Sequence, residues 1–372
     1  MSLEGLEGFE ARAEARLELP GAGVRTGALS SGDGRLPLVL EPAPGARRDD
    51  ATLASWIDAH RGWVEEKLTE RGAFLFRGFE LGAATSIERV ARAIDPELKN
   101  DYLGTSPRNA LTDYVFSASE LPPVYPIPQH CEMSFIPEPP RRLFFGCLLP
   151  NQSPGGETPL VDVRRVWQSL DPAVRARFEE KGVRNIRNYD GPGGGSRFDL
   201  WKLKRWDEMF RTTDRAEVEA ICRAHGFSYT WRSGGRLRLV NTQPAFRRHP
   251  VTGEVAWFNH SQVFHLSSVA GEYRRIARRT GEARYRALAE VARAAVALRR
   301  RAIADEDQAM HCTYGDGAPI PDEDMERVRD AIWQNLVAFR WQRGDVVAID
   351  NYAVAHGRMP YRGPRTVAVC WA

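Results

Sequence analysis

The chemistry in this chain is easiest to see in "PIPQHCEMSFIPEPPRRLFFG", Pro126 to Gly146, which sets His130 and Glu132 one residue apart. If this segment is a strand, side chains at i and i+2 share a face. The imidazole and the carboxylate then converge, and Cys131 faces away. Such a pair can share a divalent metal. Two histidines and one carboxylate on one face leave further coordination positions open, the donor set of non-haem iron oxygenases. The same donors suit zinc, so a zinc hydrolase also stays open on these residues. The spacing alone is weak, because a surface polar pair or a structurally satisfied histidine is the commoner use of such a motif.

A second histidine has to come from elsewhere. His356 stands at the end of "GDVVAIDNYAVAHGR", where a buried strand is expected to meet a turn. Arg365 opens the closing strand, and a hairpin through "GRMPYRGP" would bring it near His356. A guanidinium is the best bidentate partner for a carboxylate. 2-Oxoglutarate chelates iron through its keto oxygen and the adjacent carboxylate, and its far carboxylate needs such a partner. A structural salt bridge is the competing use of Arg365.

The elements that must position these residues are mostly strands at the two ends of the core, with helices between. "LPLVLEPAP" reads as a short strand in a loose segment covering residues 1–50. Thr52 to Arg71 reads as a helix, and Gly72 to Phe79 as a buried strand bounded by glycines. Thr85 and Glu88 fit a capping box. Arg141 to Pro150 is a strand. Residues of about 165–235 and 270–336 read as helical insertions, with "DRAEVEAICRAHG" ending on a glycine suited to a helix C-cap. The chain then returns to strands through "RTVAVCWA". No βαβ alternation and no GxGxxG after a strand occur, which disfavours a doubly wound nucleotide-binding fold. The expected class is mainly β with helical insertions (α+β), a jelly roll in a single domain over 1–372.

Composition agrees with a soluble globular protein with a sizeable core. Of 372 residues, 42% are hydrophobic and 27% charged, with 52 basic against 49 acidic side chains and a net charge of +3. That balance gives no reason to invoke nucleic acid or an anionic membrane. The five cysteines are scattered, with no CxxC pair, and read as reduced thiols of a cytoplasmic protein. No signal core or membrane-spanning run is apparent.

Six segments occur in order: "PQHCEMSF", "LFFGCLLP", "GGETPLVDVRRV", "TGEVAWFNHSQVFH", "CTYGDGAPI" and "DNYAVAHGRMPYRGPR". With them the chain resembles the TauD/TfdA-like Fe(II)/2-oxoglutarate oxygenases from about Gly72 to the C-terminus. Its nearest likeness is to the branch containing syringomycin-biosynthesis-like hydroxylases. The resemblance implies a double-stranded β-helix. It implies His130, Glu132 and His356 as catalytic iron ligands, with Fe(II) as cofactor and 2-oxoglutarate and O2 as co-substrates. It implies that Arg365 and Thr158 hold the distal carboxylate of 2-oxoglutarate, with Arg358 of "HGR" orienting the site. Relatives often carry a second basic residue after the arginine, where this chain has Thr366; a register shifted by one, or a contribution from Arg362, follows as an alternative.

Retention of Glu132 favours hydroxylation over halogenation, with release of succinate and CO2. Desaturation, epoxidation and cyclisation remain variants. The expected substrate is an amino acid or an amino-acid-derived natural-product intermediate, free or tethered to a carrier protein. Tyr125, Asn259, His260 and Phe264 are the substrate-pocket candidates, with His265 close by; packing is the competing use of each. "RFDLWKLKRW" is a lid candidate or a solvated helix face, and "DGPGGGSRF" a flexible loop without the lysine of a P-loop. A metal-free jelly-roll scaffold is the non-enzymatic reading, opposed by the complete motif set. Oligomeric state is left open.

Overall fold

The computed structural model describes residues 17, 19–27, 29, 36–104, 108–194 and 204–372. Two sheets form its frame. The larger has seven strands in the order Val24–Thr26, Leu38–Pro42, Ala73–Phe76, Val346–Asp350, Arg142–Leu149, Thr366–Trp371 and Phe116–Ser117. Its neighbours are antiparallel except Leu38–Pro42 and Ala73–Phe76, which run parallel. The smaller has four strands in the order Leu336–Val337, Leu160–Asp162, Val354–Arg358 and Ile127–His130, all antiparallel.

Period-two alternation sorts the larger sheet onto two cores. Leu143, Phe145, Cys147, Val347, Ile349, Val367 and Val369 pack with Leu160, Val161, Val354 and Ala355 of the smaller sheet. Phe144, Val346, Ala348, Ala368 and Cys370 point the other way, onto Leu53, Ile57, Leu68, Ile87 and Val90 of three helices. Burial on both faces explains why "RLFFGCLL" and "VVAI" read as unbroken apolar runs. Helix Ala84–Ile94 lies so close to the sheet that a Cβ on Gly146 would sit 2.1 Å from Ile87 Cδ1.

Several local expectations are corrected. Thr52 to Arg71 is two helices, Asp50–Ala59 and Arg61–Arg71, broken at His60. Asp49 caps the first by accepting from the Thr52 N–H at 2.8 Å. The capping box at Thr85 and Glu88 does not form: the helix begins after Ala83 with no side-chain cap. Glu88 instead accepts from Arg92 at 2.9 Å and from Thr112 at 2.6 Å. The long helical reading at 270–304 divides at Gly281 into Ser268–Thr280 and Ala283–Ala302, Gly281 taking a left-handed φ of 71°.

The insertion at 165–235 is not simply helical. Helices Val163–Ser169, Pro172–Lys181 and Arg215–Ala224 are present. Strands Val183–Tyr189 and Ser228–Arg232 join Arg236–Gln243 and Met310–Tyr314 in a further four-stranded sheet. "VRNIRNY" hides its strand character because its buried face carries Asn185 and Arg187 among apolar residues. Of "RFDLWKLKRW", residues 197–203 lie outside the described residues; Lys204 and Arg205 lead into the short helix Trp206–Phe210. The end of the Gly-rich loop before it also lies outside them. Among the described residues no helix is long and apolar enough to cross a membrane.

Candidate active site

The candidate site lies on the inner face of the smaller sheet. His130 ends the strand Ile127–His130, and His356 is its direct cross-strand partner in Val354–Arg358. His356 is therefore mid-strand, not at the strand–turn junction expected from the sequence. The two rings are 4.5 Å apart between centroids. Phe145 of the larger sheet faces His356 at 4.7 Å, which places the pair between the sheets.

Glu132 is not on the strand. It falls in the turn beyond it, next to Met133 with φ 50°. Convergence with His130 comes from that turn and from Asn351, which grips the Glu132 backbone. Asn351 accepts from the Glu132 N–H at 2.7 Å and donates to the Glu132 and Pro140 carbonyls at 3.0 and 2.8 Å. The Glu132 carboxylate then lies 3.8 Å from His356 Nε2. One ligand atom from each of His130, Glu132 and His356 falls within 4.8 Å of the others.

Protonation suits a cation. His130 Nδ1 is 2.8 Å from the Pro128 carbonyl, which can only accept, so Nδ1 donates there and Nε2 is the ring nitrogen available to a metal. Burial, with the Arg108 charge nearby, holds His356 well below the usual imidazole range, so it is neutral. Burial pushes the Glu132 carboxyl up, but Arg108 and the nearby histidines outweigh it and hold it below its ordinary value. Two imidazole nitrogens and a carboxylate are what a divalent transition metal requires, and these residues fit Fe(II).

Two residues at the site carry no readable signal in the sequence. Arg108 donates to Glu132 at 2.7 Å and to the Tyr102 hydroxyl at 3.0 Å. Tyr102 itself donates to Glu132 at 3.4 Å, and the Arg108 guanidinium lies 4.1 Å over its ring. They sit in a segment without periodicity. Asn351, in "DNYAVAH", likewise reads only as a turn residue.

Arg365 does not reach His356 through a hairpin. The strands on either side of "MPYRGP" belong to different sheets, so this connection crosses the sandwich. Arg365 donates to the Gly156 carbonyl at 2.7 Å and to Thr158 Oγ1 at 3.3 Å; Trp341 also donates to Thr158, at 3.2 Å. Arg362 is exposed, so Arg365 is the arginine turned inward at this position. Gly155 and Gly156 let the "GGET" loop pass beneath: a Cβ on Gly155 would meet the Pro360 oxygen at 2.2 Å, and one on Gly156 the Arg365 Cδ at 3.0 Å. Arg358 donates instead to the carbonyls of Leu121, Pro122 and Tyr125 at 3.0, 2.8 and 2.9 Å. It fastens the chain leading into the His130 strand.

The remaining candidates divide. His260 is beside the histidine pair, its ring 5.2 Å from His130, with Nδ1 2.6 Å from Ser134 Oγ. Phe264 backs His260 at 5.1 Å. Asn259 has its amide occupied by backbone: it donates to Ala245 O at 2.8 Å and accepts from Ser261 N at 2.9 Å. His265 donates from Nε2 to Ile320 O at 3.1 Å and has Nδ1 2.8 Å from Ser267 Oγ, a packing role. Tyr125 is half-buried, and its carbonyl serves Arg358.

Comparison with known proteins matches the chain to a family. The model of the taurine catabolism dioxygenase TauD, TfdA family matches residues 38–371. The chain is 30% identical over 329 residues to the dapdiamide synthesis protein DdaC of Enterobacter agglomerans, covering 87% of this chain and 88% of that one. It is 30% identical over 318 residues to a clavaminate synthase-like protein of Arabidopsis thaliana, covering 84% of each. Among solved structures, PvcB, an Fe, alpha-ketoglutarate dependent oxygenase, superposes with a TM-score of 0.52 at 15% identity, covering 96% of this chain and 95% of that one. The fold is accordingly the double-stranded β-helix. The chain belongs to the TauD, TfdA family and is an Fe(II)/2-oxoglutarate-dependent dioxygenase.

Proposed function

We propose that the protein hydroxylates an unactivated C–H bond of an amino acid or an amino-acid-derived biosynthetic intermediate, with His130, Glu132 and His356 holding the iron. The observation that carries this reading is the buried grouping of one ligand atom from each of these three within 4.8 Å. The 30% identity to a protein named for dapdiamide synthesis supports a biosynthetic task. Bound iron with 2-oxoglutarate supplies the oxidising chemistry: decarboxylation to succinate and CO2 consumes one oxygen atom of O2, and the other enters the substrate C–H bond.

The protein's own part is positional. His130 and His356 present ring nitrogens from adjacent strands, and Glu132 neutralises part of the cation's charge. Arg108 and Tyr102 orient the Glu132 carboxylate through its oxygens. Arg365 and Thr158 receive the distal carboxylate of 2-oxoglutarate, the guanidinium being held in place by Gly156. Phe145, His260 and Phe264 wall the site and limit the water that reaches it.

The test is an anaerobic titration with Fe(II) and then 2-oxoglutarate, following the visible charge-transfer band of the chelate. Wild type should develop the band, and Glu132→Ala and Arg365→Ala should weaken it. With O2 and substrate, succinate should form in step with a product heavier by one oxygen. Absence of the band in wild type, with no succinate, would end this reading.

A further inference from the structure

We infer that Arg187 is the anchor for a carboxylate carried by the substrate, gripping it side-on through Nε and Nη2. The inference rests on the proposed reaction only for the word substrate; the anion site stands on Arg187 itself.

Six arginines of the described residues are essentially buried: Arg142, Arg164, Arg187, Arg275, Arg329 and Arg358. Four of them are paired with carboxylates: Arg142 with Asp350, Arg164 with Asp162, Arg275 with Asp330 and Arg329 with Glu326. Arg358 instead donates to three backbone carbonyls. Arg187 has neither. It is 0% exposed, and its one hydrogen bond is from Nη1 to the Tyr189 hydroxyl at 3.4 Å. Among the described residues its Nε and Nη2 have no partner at all.

Those two nitrogens are the planar fork that matches a carboxylate. The protein uses the same edge elsewhere: Arg77 Nε and Nη2 hold the two oxygens of Asp345 at 3.1 and 2.7 Å. A buried cation without a counter-ion is unfavourable, and contact with aromatic faces offsets only part of that cost. Arg187 is flanked by the rings of Phe135 and Phe227, at 4.2 and 4.7 Å. The rings fix the plane of the guanidinium, and its Nε–Nη2 edge is left without a partner among the described residues.

The position is right for a substrate. Phe135 lies edge-on to His260 at 5.0 Å, and His260 lies edge-on to His130 at 5.2 Å, so these two rings link Arg187 to the iron triad. Two residues along the same strand face is Asn185, also 0% exposed, whose side-chain oxygen and nitrogen both lack partners among the described residues. Its cross-strand partner Asn241 has a free Oδ1. Buried polar atoms in native proteins are nearly always satisfied, and Arg187, Asn185 and Asn241 together leave five of them without partners among the described residues. The ligand class that completes them is a small carboxylate with a hydrogen-bonding nitrogen near it.

The test uses acetate as the probe, titrated against chloride at equal ionic strength, with thermal unfolding as the readout. It is run on the metal-free full chain and on protein loaded with Fe(II) and saturating 2-oxoglutarate, which fills the Arg365 cradle. Wild type should be stabilised by acetate in both states. Arg187→Lys keeps the charge and loses the fork, and Arg187→Met loses both. Each should bind acetate about tenfold or more weakly, and Arg187→Met without acetate should melt no lower than wild type. No acetate response in wild type, or an equal response in wild type and Arg187→Lys, overturns the inference. An Arg187-dependent acetate response in protein that gives no charge-transfer band would sink the proposed reaction and leave the anion site standing.

Discussion

Asn351 holds Glu132 by its backbone from both directions, accepting its N–H at 2.7 Å and donating to its carbonyl at 3.0 Å. The contact joins residues far apart in sequence and substitutes for the strand that ends at His130. Asn351→Ala leaves the His130–His356 strand pairing intact but frees the turn that aims the carboxylate. Loss of a supporting contact of this kind commonly costs about 10–100-fold in metal affinity. Stability should fall by about 1–3 kcal/mol, since buried polar groups lose partners. Competitive Fe(II) titration and urea unfolding check the two effects separately. Unchanged iron affinity would show that the turn is held by other contacts.

Gly155 offers a way to disturb the 2-oxoglutarate cradle without touching the triad. It has φ 98°, and a Cβ there would meet the Pro360 oxygen at 2.2 Å. Gly155→Ala must shift the "GGET" loop, and with it the Gly156 carbonyl and Thr158 that receive Arg365. The expected result is about tenfold or greater weakening of 2-oxoglutarate binding, with Fe(II) binding nearly unchanged. A destabilisation of about 1–3 kcal/mol accompanies it. Measuring Fe(II) and 2-oxoglutarate affinities on the same preparation separates local from global damage. Equal loss of both would refute the assignment of this loop to the cradle.

The sequence made the buried strands legible because their patterning is local. "AFLF", "RLFFGCLL" and "VVAID" are apolar runs of strand length, and each is a strand. His130, Glu132 and His356 were nameable because their types and motif context are distinctive. What the sequence did not carry were contacts made by topology. Arg108 reaches Glu132 from an aperiodic loop, and Asn351 looks like any turn residue. Val183–Tyr189 was taken for part of a helical insertion because Asn185 and Arg187 occupy its inner face. His356 and Arg365 flank a connection that looks like a hairpin but crosses between sheets. The capping box at Thr85 lost to tertiary partners, Arg92 and Thr112 having taken Glu88.

Arg142 and Asp350 form a fully buried ion pair at the base of the same turn. Asp350 also receives His249 Nε2 at 3.1 Å and the Tyr352 N–H at 3.0 Å, which fixes the start of the turn carrying Asn351. Arg142→Met leaves the carboxylate buried without its main counter-charge. Breaking one side of such a pair costs about 3–5 kcal/mol. Replacing both, as Arg142→Met with Asp350→Leu, should recover part of that cost, less the contacts to His249 and Tyr352. A double-mutant cycle by urea unfolding gives the coupling. Additive losses would show that the two side chains act independently.

His265 links stability to pH at a place removed from the proposed iron ligands. Burial, with Arg329 and His311 nearby, pushes its pKa from an ordinary 6.5 to about 3. The imidazole is neutral in the folded protein, donating from Nε2 to Ile320 O. The unfolded chain takes up a proton near the ordinary value and the folded chain does not. This contribution is therefore fully present above pH 6.5 and is lost progressively as pH falls toward 3. Each pH unit within that window removes about 1.4 kcal/mol. His265→Gln keeps a donor for Ile320 and removes the titrating group, so its stability should fall less steeply with acidification. Urea midpoints between about pH 7.5 and 5 for both proteins test this. Parallel profiles would mean that His265 is protonated in the folded state or that its surroundings open before it titrates.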